Sequence, residues 1–115
     1  MILLLLYKGE DMISIIIPTY NNCTKYLKPC IESIVKYTDM TDVELVIVAN
    51  GCTDETRQYV YFEMPTSVLN YQIQWFDDPI GYPKAINEGL RIARGDKIVL
   101  LNNDTVLLEQ PKNQW

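Results

Sequence analysis

Residues 12–19, MISIIIPT, are a continuous apolar and β-branched run that ends just after a proline. A run that is apolar at nearly every position is typical of a strand buried on both faces, as in a parallel sheet. The segment ELVIVA at residues 44–49 has the same character and predicts a second buried strand. Residues 71–76, YQIQWF, alternate as a half-buried strand does, and residues 97–101, KIVLL, predict a fourth strand.

Helix-like segments separate these four strands. The first carries an apolar stripe at helical spacing, with Thr24 as its predicted N-cap. A second helix is predicted over residues 54–63 and is ended by Pro65, and a third begins at Pro83 and ends at Gly95 in a left-handed conformation. The order βαβαβαβ predicts an α/β fold, Rossmann-like, with an open, mostly parallel sheet and helices on both faces.

The amino-acid composition limits the kinds of catalytic and metal sites that the chain can form. The chain has 115 residues and a formal net charge of -5, which predicts one domain and argues against binding to a nucleic-acid backbone. It contains no histidine, so Ser-His and Cys-His nucleophile pairs and histidine-ligated metals are excluded. Any metal must be held by oxygen ligands, with or without a cysteine, and acid–base chemistry must come from carboxylates, Lys or Tyr.

The cysteines and the N-terminal residues indicate the cellular compartment of the protein. Three cysteines without a CxxC pair suit a reducing compartment better than a disulfide scaffold. The apolar run at residues 2–6 is far shorter than the roughly 20 residues of a spanning helix and lacks the flanks of a signal peptide. We interpret residues 1–11 as a leader or an extra strand, and expect a cytoplasmic protein that works in solution or at a membrane surface.

Polar residues follow every predicted strand. In an open parallel sheet, ligands bind beyond the carboxyl ends of the strands, so these residues are expected to converge on one edge. They are residues 19–22 after the first strand, Asn50 and Gly51 after the second, Asp77, Asp78 and Gly81 after the third, and residues 102–104 after the fourth.

The first of these loops excludes the common phosphate-binding motifs. Residues 18–22, PTYNN, contain no glycine, and the chain has no GxxxxGK[ST] segment. A diphosphate bound here would therefore need another source of positive charge, and a divalent cation held by a carboxylate is the natural one. Asp104 is the best-placed ligand, and Asn102 and Asn103 can add amide oxygens or position water.

Three stretches resemble a known family. They are ISIIIPTYNN at residues 13–22, ELVIVANGCTDET at residues 44–56 and GYPKAINEGLRIARGDKIVLLNNDT at residues 81–105. In order and spacing they resemble the nucleotide-binding half of inverting glycosyltransferases of family 2, which have the GT-A fold. The resemblance implies a nucleoside diphosphate sugar as donor, Mn²⁺ or Mg²⁺ as cofactor, an acceptor that the sequence does not identify, and no nucleic acid.

The resemblance also implies roles for single residues near the nucleoside. Pro18, Thr19 and Tyr20 match the loop that approaches the nucleoside in the family. Asn50 matches the position that hydrogen-bonds the base, and its amide can donate to and accept from uracil or thymine. A UDP- or dTDP-sugar is therefore the expected donor.

Five further residues match the diphosphate side of the family site. Gly81 and Lys84 match the segment beneath the nucleotide and donor sugar, where Lys84 would offer charge to phosphate. Asn102, Asn103 and Asp104 match the DxD-type element, in which Asp104 would bind the Mn²⁺ or Mg²⁺ that bridges the diphosphate.

The family domain is longer than this chain, and its second half carries the acceptor site and the catalytic base. Glu109 is the only acid after Asp104 and follows it too closely to match that base. We therefore expect residues 12–115 to form a donor-binding domain without the acceptor half, weak or inactive in transfer. The alternative is a catalytically inactive nucleotide-binding or protein-interaction module. An uncovered sheet edge and an exposed Trp115 predict a homo-oligomer.

Overall fold

The computed structural model describes residues 2–6 and 12–115. Five strands form one sheet: β1 (Ile2–Leu6), β2 (Ile13–Thr19), β3 (Val43–Asn50), β4 (Tyr71–Phe76) and β5 (Lys97–Leu101). Their spatial order is β1-β5-β2-β3-β4. The strands β5, β2, β3 and β4 are parallel, and β1 runs antiparallel along β5. The predicted open, mostly parallel sheet is confirmed.

Three helical segments connect the parallel strands. The helix α1 (Lys28–Tyr37) follows a π-helical turn at Cys23–Leu27. The second segment begins with the single turn α2 (Thr56–Gln58) and continues through a π turn and a 3₁₀ turn to Thr66. The helix α3 (Tyr82–Ile92) leads to β5. Within the described ranges, none of these helices has the length and apolar character needed to cross a bilayer.

The helices cover both faces of the sheet, which explains the unbroken apolar runs. Successive side chains of a strand point to opposite faces, and both faces of β2 and β3 are buried. The core that includes α1 takes Ile15, Ile17, Leu45 and Ile47, and the core on the α3 side takes Ile16, Val46 and Val48. A Cβ on Gly89 of α3 would lie 2.5 Å from Cγ2 of Ile16, so glycine allows this helix to pack closely on the sheet.

The beginning of the first helical segment differs from the prediction. Asn22, with φ of 56°, precedes the first turn, and Thr24 lies inside that turn and is not the N-cap. The Thr24 hydroxyl donates instead to Glu55 Oε1 at 2.9 Å. The prediction was wrong because the turn begins two residues earlier, after Asn22, and Thr24 bonds instead to an acid 31 residues along the chain, which the local sequence does not reveal.

A buried polar network joins the amino ends of the strands. Glu44 on β3 is 1% exposed. Its Oε2 accepts from the Ser14 hydroxyl and from the Arg94 backbone N–H, both at 2.6 Å, and its Oε1 accepts from the Gln72 amide at 3.0 Å. The Gly95 N–H donates to Ser14 Oγ at 2.8 Å. These bonds join β2, β3 and β4 to the connection between α3 and β5.

Gly95 belongs to this network and is not the left-handed cap that the sequence predicts. The helix α3 ends at Ile92, and its C-cap is Ala93 in an extended conformation with ψ of 134°. A Cβ on Gly95 would lie 2.7 Å from both the backbone N and the Oγ of Ser14. Glycine is required at this position by close packing, and the positive-φ glycines are Gly51 and Gly81.

The final residues fold back onto the sheet and α1. The Leu107 N–H donates to Ser33 Oγ at 3.0 Å, and Leu107 is buried. Trp115 is half-buried against the core, and its indole N–H donates to Thr38 Oγ1 at 2.8 Å. The prediction that Trp115 is exposed was wrong, because this tail gives the indole an apolar contact and a hydrogen-bond acceptor.

Candidate functional site

An open cleft of about 260 Å³ lies at the carboxyl ends of the parallel strands. All of its lining residues except Tyr82 are residues that the family resemblance singles out. The cleft is lined by Pro18, Thr19, Tyr20, Asn50, Tyr82, Asn102, Asn103 and Asp104. The topology therefore brings the polar ends of β2, β3 and β5 together at one place.

A larger cavity, about 460 Å³, lies at the opposite end of the sheet between the strand starts, Asp39 and Trp115. None of the predicted site residues lines it. Because open α/β sheets bind ligands beyond the carboxyl ends of their strands, we assign the functional site to the smaller cleft.

The loop after β2 is held in place by the loop after β3. Asn21 and Asn22 have positive φ angles of 47° and 56°, a conformation that asparagine tolerates better than most residues. The Asn21 Oδ1 accepts from the Thr53 N–H at 2.8 Å, and its Nδ2 donates to Thr53 Oγ1 at 3.3 Å. Tyr20, just before this turn, is 56% exposed at the cleft.

Asn50 and Gly51 fix the loop between β4 and α3. The Asn50 Oδ1 accepts from the Ile80 N–H at 2.7 Å, and the Gly51 N–H donates to the Phe76 carbonyl at 3.0 Å. Gly51 has φ of 81°, and a Cβ there would lie 2.7 Å from the Pro79 ring. The amide oxygen of Asn50 is thus engaged within the protein, which leaves its Nδ2 for a ligand.

The helix α3 begins at the cleft. Gly81, with φ of 85° and ψ of 155°, turns the chain into this helix, and no side chain caps its first amides. Tyr82 follows at the cleft, 51% exposed, and its hydroxyl donates to Asn102 Oδ1 at 3.0 Å. Gly81 adjoins the lining, whereas Lys84 is an exposed residue of α3 that the structure does not bring into the cleft lining.

The loop after β5 supplies the other wall. The Thr105 N–H donates to the Asn102 carbonyl at 3.2 Å, which closes a tight turn. The Asn103 Nδ2 donates at 3.0 Å to the hydroxyl oxygen of Thr19, which is 2% exposed. Asp104 is exposed at the rim of the cleft. The side chains of Asn102 and Asn103 are therefore each tied to a different element.

Two cysteines lie beneath the cleft. The Cys52 thiol donates to the Thr19 carbonyl at 3.5 Å, and the Cys30 thiol donates to the Asn102 carbonyl at 3.9 Å. Burial raises the pKa of Cys30 to about 12, and the negative charge of Asp104 adds to this effect. Burial also raises the pKa of Cys52. Both groups remain thiols at neutral pH and support the walls, rather than acting as nucleophiles.

The charge of the cleft lining decides how a diphosphate and a cation could bind there. Asp104 is the one charged residue among those that line it, so a bound diphosphate would meet no basic side chain in the lining and one like charge. The described residues contain no group of three or more His, Cys, Asp or Glu side chains that could hold a metal ion. A cation would have Asp104, the Asn103 amide oxygen, water and the phosphate oxygens as ligands. This all-oxygen set fits Mg²⁺ or Mn²⁺ bound together with a phosphate substrate.

Sequence reasoning missed Tyr82 as a site residue. Its phenol reaches Asn102, which is 20 residues further along the chain, and no local pattern reveals that contact. The available signal was its position, directly after Gly81 and before Pro83 at the start of a helix on the ligand-binding edge. Asp77 and Asp78 are exposed and do not line the cleft.

Comparisons with known proteins agree with the fold. The model of the glycosyl transferase family 2 matches residues 14–111. The chain is 37% identical over 101 residues to a PGL/p-HBAD biosynthesis glycosyltransferase of Mycobacterium tuberculosis, covering 88% of this chain and 38% of that protein. It is 30% identical over 101 residues to glycosyltransferase GlyG of Streptococcus pneumoniae, covering 87% and 32%.

A solved structure of a known protein has a similar fold. TarS 1–349 of S. aureus, in complex with UDP-GlcNAc, matches with a TM-score of 0.70 and 32% identity, over 81% of this chain and 26% of that one. The chain thus spans 38% or less of the length of these relatives. Because the family model covers most of the chain, from β2 through the loop after β5, this protein belongs to glycosyltransferase family 2.

Proposed function

We propose that the cleft binds the nucleoside diphosphate part of a nucleotide sugar together with Mn²⁺ or Mg²⁺, as the donor site for inverting sugar transfer. The observation that carries the proposal is a polar cleft at the carboxyl ends of the strands, in which Asp104 is the one charged lining residue. Support comes from the relatives, which are named glycosyltransferases, and from TarS, whose structure contains UDP-GlcNAc.

The loop after β5 would hold the diphosphate and the cation. The Asp104 carboxylate is the charged ligand, and Asn103 contributes its Oδ1, because its Nδ2 is engaged by Thr19. A divalent cation bound there offsets the charge of the diphosphate and stabilises it as a leaving group. The first turn of α3 has no side-chain cap and begins at the same edge, so its free backbone N–H groups would add donors for anionic oxygens. The role of Lys84 at phosphate stays a prediction.

The nucleoside would lie against the loops after β2 and β3. Tyr20 offers an exposed aromatic ring on which a base can stack. Pro18 and Thr19 form the adjoining wall, and the free Nδ2 of Asn50 can donate to a carbonyl oxygen of uracil or thymine. This assignment favours a UDP- or dTDP-sugar.

We further propose that the 115-residue polypeptide alone binds the donor and transfers little or no sugar. Deprotonation of an acceptor hydroxyl needs a general base within hydrogen-bonding reach. Asp104 is the one carboxylate among the cleft-lining residues, and it is assigned to the cation. A second acid would have to come from outside the lining described here.

Two further assignments go with this proposal. We place the protein in the cytoplasm, because its three cysteines are free and buried, as suits a reducing compartment. We also infer self-association through the outer edge of β4, which ends the sheet and carries no charge or proline along YQIQWF. Sedimentation that gives a monomer at high protein concentration would contradict this second assignment.

Calorimetric titration tests the donor site. UDP and dTDP are titrated with and without Mn²⁺ into wild type, Asp104→Asn and the control Glu109→Gln, which removes an exposed acid outside the cleft. We expect Mn²⁺ to tighten nucleotide binding at least tenfold in wild type and in Glu109→Gln, but not in Asp104→Asn. No binding to folded wild type would overturn the proposal, and equal binding without metal would overturn the role of the cation.

A further inference from the structure

The structure contains a contact across the cleft that the donor-site assignment does not use. The Tyr82 hydroxyl at the start of α3 donates to Asn102 Oδ1 on the loop after β5, at 3.0 Å. Both residues line the cleft, and they come from different elements. The contact therefore ties one wall of the cleft to the other.

We propose that Tyr82 is a positioning residue that orients the Asn102 amide so that it presents its N–H₂ group, and not its oxygen, to the diphosphate. This inference rests on the proposed nucleotide site. A phenol donates one hydrogen bond, and the Asn102 oxygen is the group that accepts it. The end of the amide that remains for a ligand is then Nδ2, which carries two donors and no acceptor.

The side-chain amide of Asn103 is held in the opposite orientation to that of Asn102. The Asn103 Nδ2 donates to Thr19 Oγ1, so the end that remains for a ligand is the oxygen. Two consecutive asparagines thus offer a donor at 102 and an acceptor at 103. The acceptor suits a cation beside Asp104, and the donor suits a non-bridging phosphate oxygen. This alternation gives the loop a matching group for each half of a metal–diphosphate complex.

The anchoring side of the contact belongs to a helix that packs on the sheet. Tyr82 is the first residue of α3, and Ala85 and Gly89 of that helix are buried against the sheet. Since the cleft lining contains no Lys or Arg, the Asn102 donor is one of few side-chain N–H groups that can meet phosphate there. Its orientation should therefore affect diphosphate binding more than nucleoside binding.

Calorimetry with UDP and with uridine, both in Mn²⁺, tests the proposal. The variants are Tyr82→Phe, Asn102→Ala and the double variant, with Tyr61→Phe as control. Tyr61 packs on Trp75 away from the cleft, and the substitution keeps its ring. We expect Tyr82→Phe and Asn102→Ala each to weaken UDP binding three- to tenfold without changing uridine binding. The double variant should be no weaker than Asn102→Ala alone, because both changes remove the same contact.

A second measurement separates this inference from the proposed function. In ¹H–¹⁵N spectra of the nucleotide-free protein, Tyr82→Phe should shift the side-chain amide signals of Asn102, whereas Tyr61→Phe should not. If wild type fails to bind UDP, the proposed function fails, and the spectra still test the contact. If wild type binds UDP and Tyr82→Phe binds it equally well, or if additive losses appear in the double variant, the positioning role is overturned.

Discussion

The two ends of the parallel sheet use polar side chains in opposite ways. At the amino end, Glu44 and Ser14 are buried and bond to protein partners, and Gln72 bonds to Glu44 and to the last turn of α3. At the carboxyl end, Asn50 and Asn103 each use one end of the amide for the protein and leave the other for a ligand. Polar groups that are fully paired hold the fold, and half-paired groups in a cleft can take up a ligand.

The helix α3 shows the same contrast within one element. Its last turn is bonded to the sheet, since the Gln72 amide donates to the Ile92 carbonyl at 2.7 Å. Its first turn, at Tyr82, begins without a side-chain cap. One end of the helix is therefore bonded to the sheet, and the other begins without a side-chain cap, as helix ends that bind anions do. Substitutions at the two ends should separate stability from binding.

Glu44→Ala should give the largest effect. It leaves the Ser14 hydroxyl and the Arg94 N–H without their acceptor and removes one of the two acceptors of the Gln72 amide, at a cost of about 4 kcal/mol in the free energy of unfolding. Urea unfolding measures this loss, and the affinity of the remaining folded protein for UDP should not change. Glu32→Ala, which removes an exposed acid, should stay within about 0.5 kcal/mol of wild type. Equal losses of stability in Glu44→Ala and Glu32→Ala would show that the buried network does not stabilise the amino end of the sheet.

Gly95→Ala should have the second largest effect, with a loss of roughly 2–3 kcal/mol in the free energy of unfolding. The added Cβ would meet Ser14 N and Oγ at 2.7 Å, and the backbone there cannot move without disturbing β2. Arg94→Ala is the matched control, because Glu44 is bonded to the backbone N–H of Arg94 and this bond survives the substitution. Thermal unfolding of the two variants should therefore differ clearly, and a stability of Gly95→Ala close to that of Arg94→Ala would contradict the packing argument.

Thr19→Val should affect binding instead of stability. Valine keeps the shape of this buried side chain but removes the oxygen that accepts from Asn103 Nδ2. The Asn103 amide loses its fixed orientation, so UDP binding with Mn²⁺ should weaken about fivefold, or about 1 kcal/mol. Thr105→Val, on the same loop outside the cleft lining, should bind UDP as wild type does. Unchanged affinity in Thr19→Val would show that the orientation of Asn103 does not matter.

Asp54 gives the smallest expected effect. It lies near the carboxyl end of the sheet but bonds to protein partners, so it tests whether a polar group at that end can stabilise the fold. Burial raises its pKa, but hydrogen bonds from the hydroxyl and N–H of Thr56 and from the Cys23 N–H outweigh this and lower the pKa below 3.8. Its stabilising contribution is therefore complete above about pH 4 and is lost as the pH falls through the depressed value.

Asp54→Asn should accordingly flatten the loss of stability below pH 4 and cost about 1 kcal/mol or less at neutral pH, since the group is partly solvated. Urea unfolding between pH 2.5 and pH 7 measures both effects. Asp42→Asn, an exposed control, should keep the acid limb of wild type. An unchanged acid limb in Asp54→Asn would show that the carboxylate has no special role in the native state.

The sequence allowed the sheet to be predicted because its strands are fixed by their own composition. The predicted segments 71–76 and 97–101 coincide with β4 and β5. The predicted helix at residues 54–63 becomes three short turns of different type that end at Thr66. Thr24 and Gly95 were misassigned because their partners, Glu55 and Ser14, are distant in sequence, and local propensity cannot identify them.

The candidate site could be predicted as far as topology determines it. The carboxyl ends of parallel strands lie at the same edge of a sheet, and Thr19, Asn50, Asn103 and Asp104, at or just after three neighbouring strand ends, line one cleft. Hydrogen-bond partners do not follow from that rule. The contact of Tyr82 with Asn102 depends on the side-chain geometry at the start of α3.

The thiols beneath the cleft provide a native reporter of its opening. Cys52 lies under the wall formed by Thr19, and Cys30 lies under the wall formed by Asn102. A thiol reagent can modify either one only when its wall lifts, so the labelling rate measures the opening equilibrium of each wall separately. A ligand that bridges the walls should slow both reactions together, while Cys23, buried at the first helical turn, reports on the loop after β2.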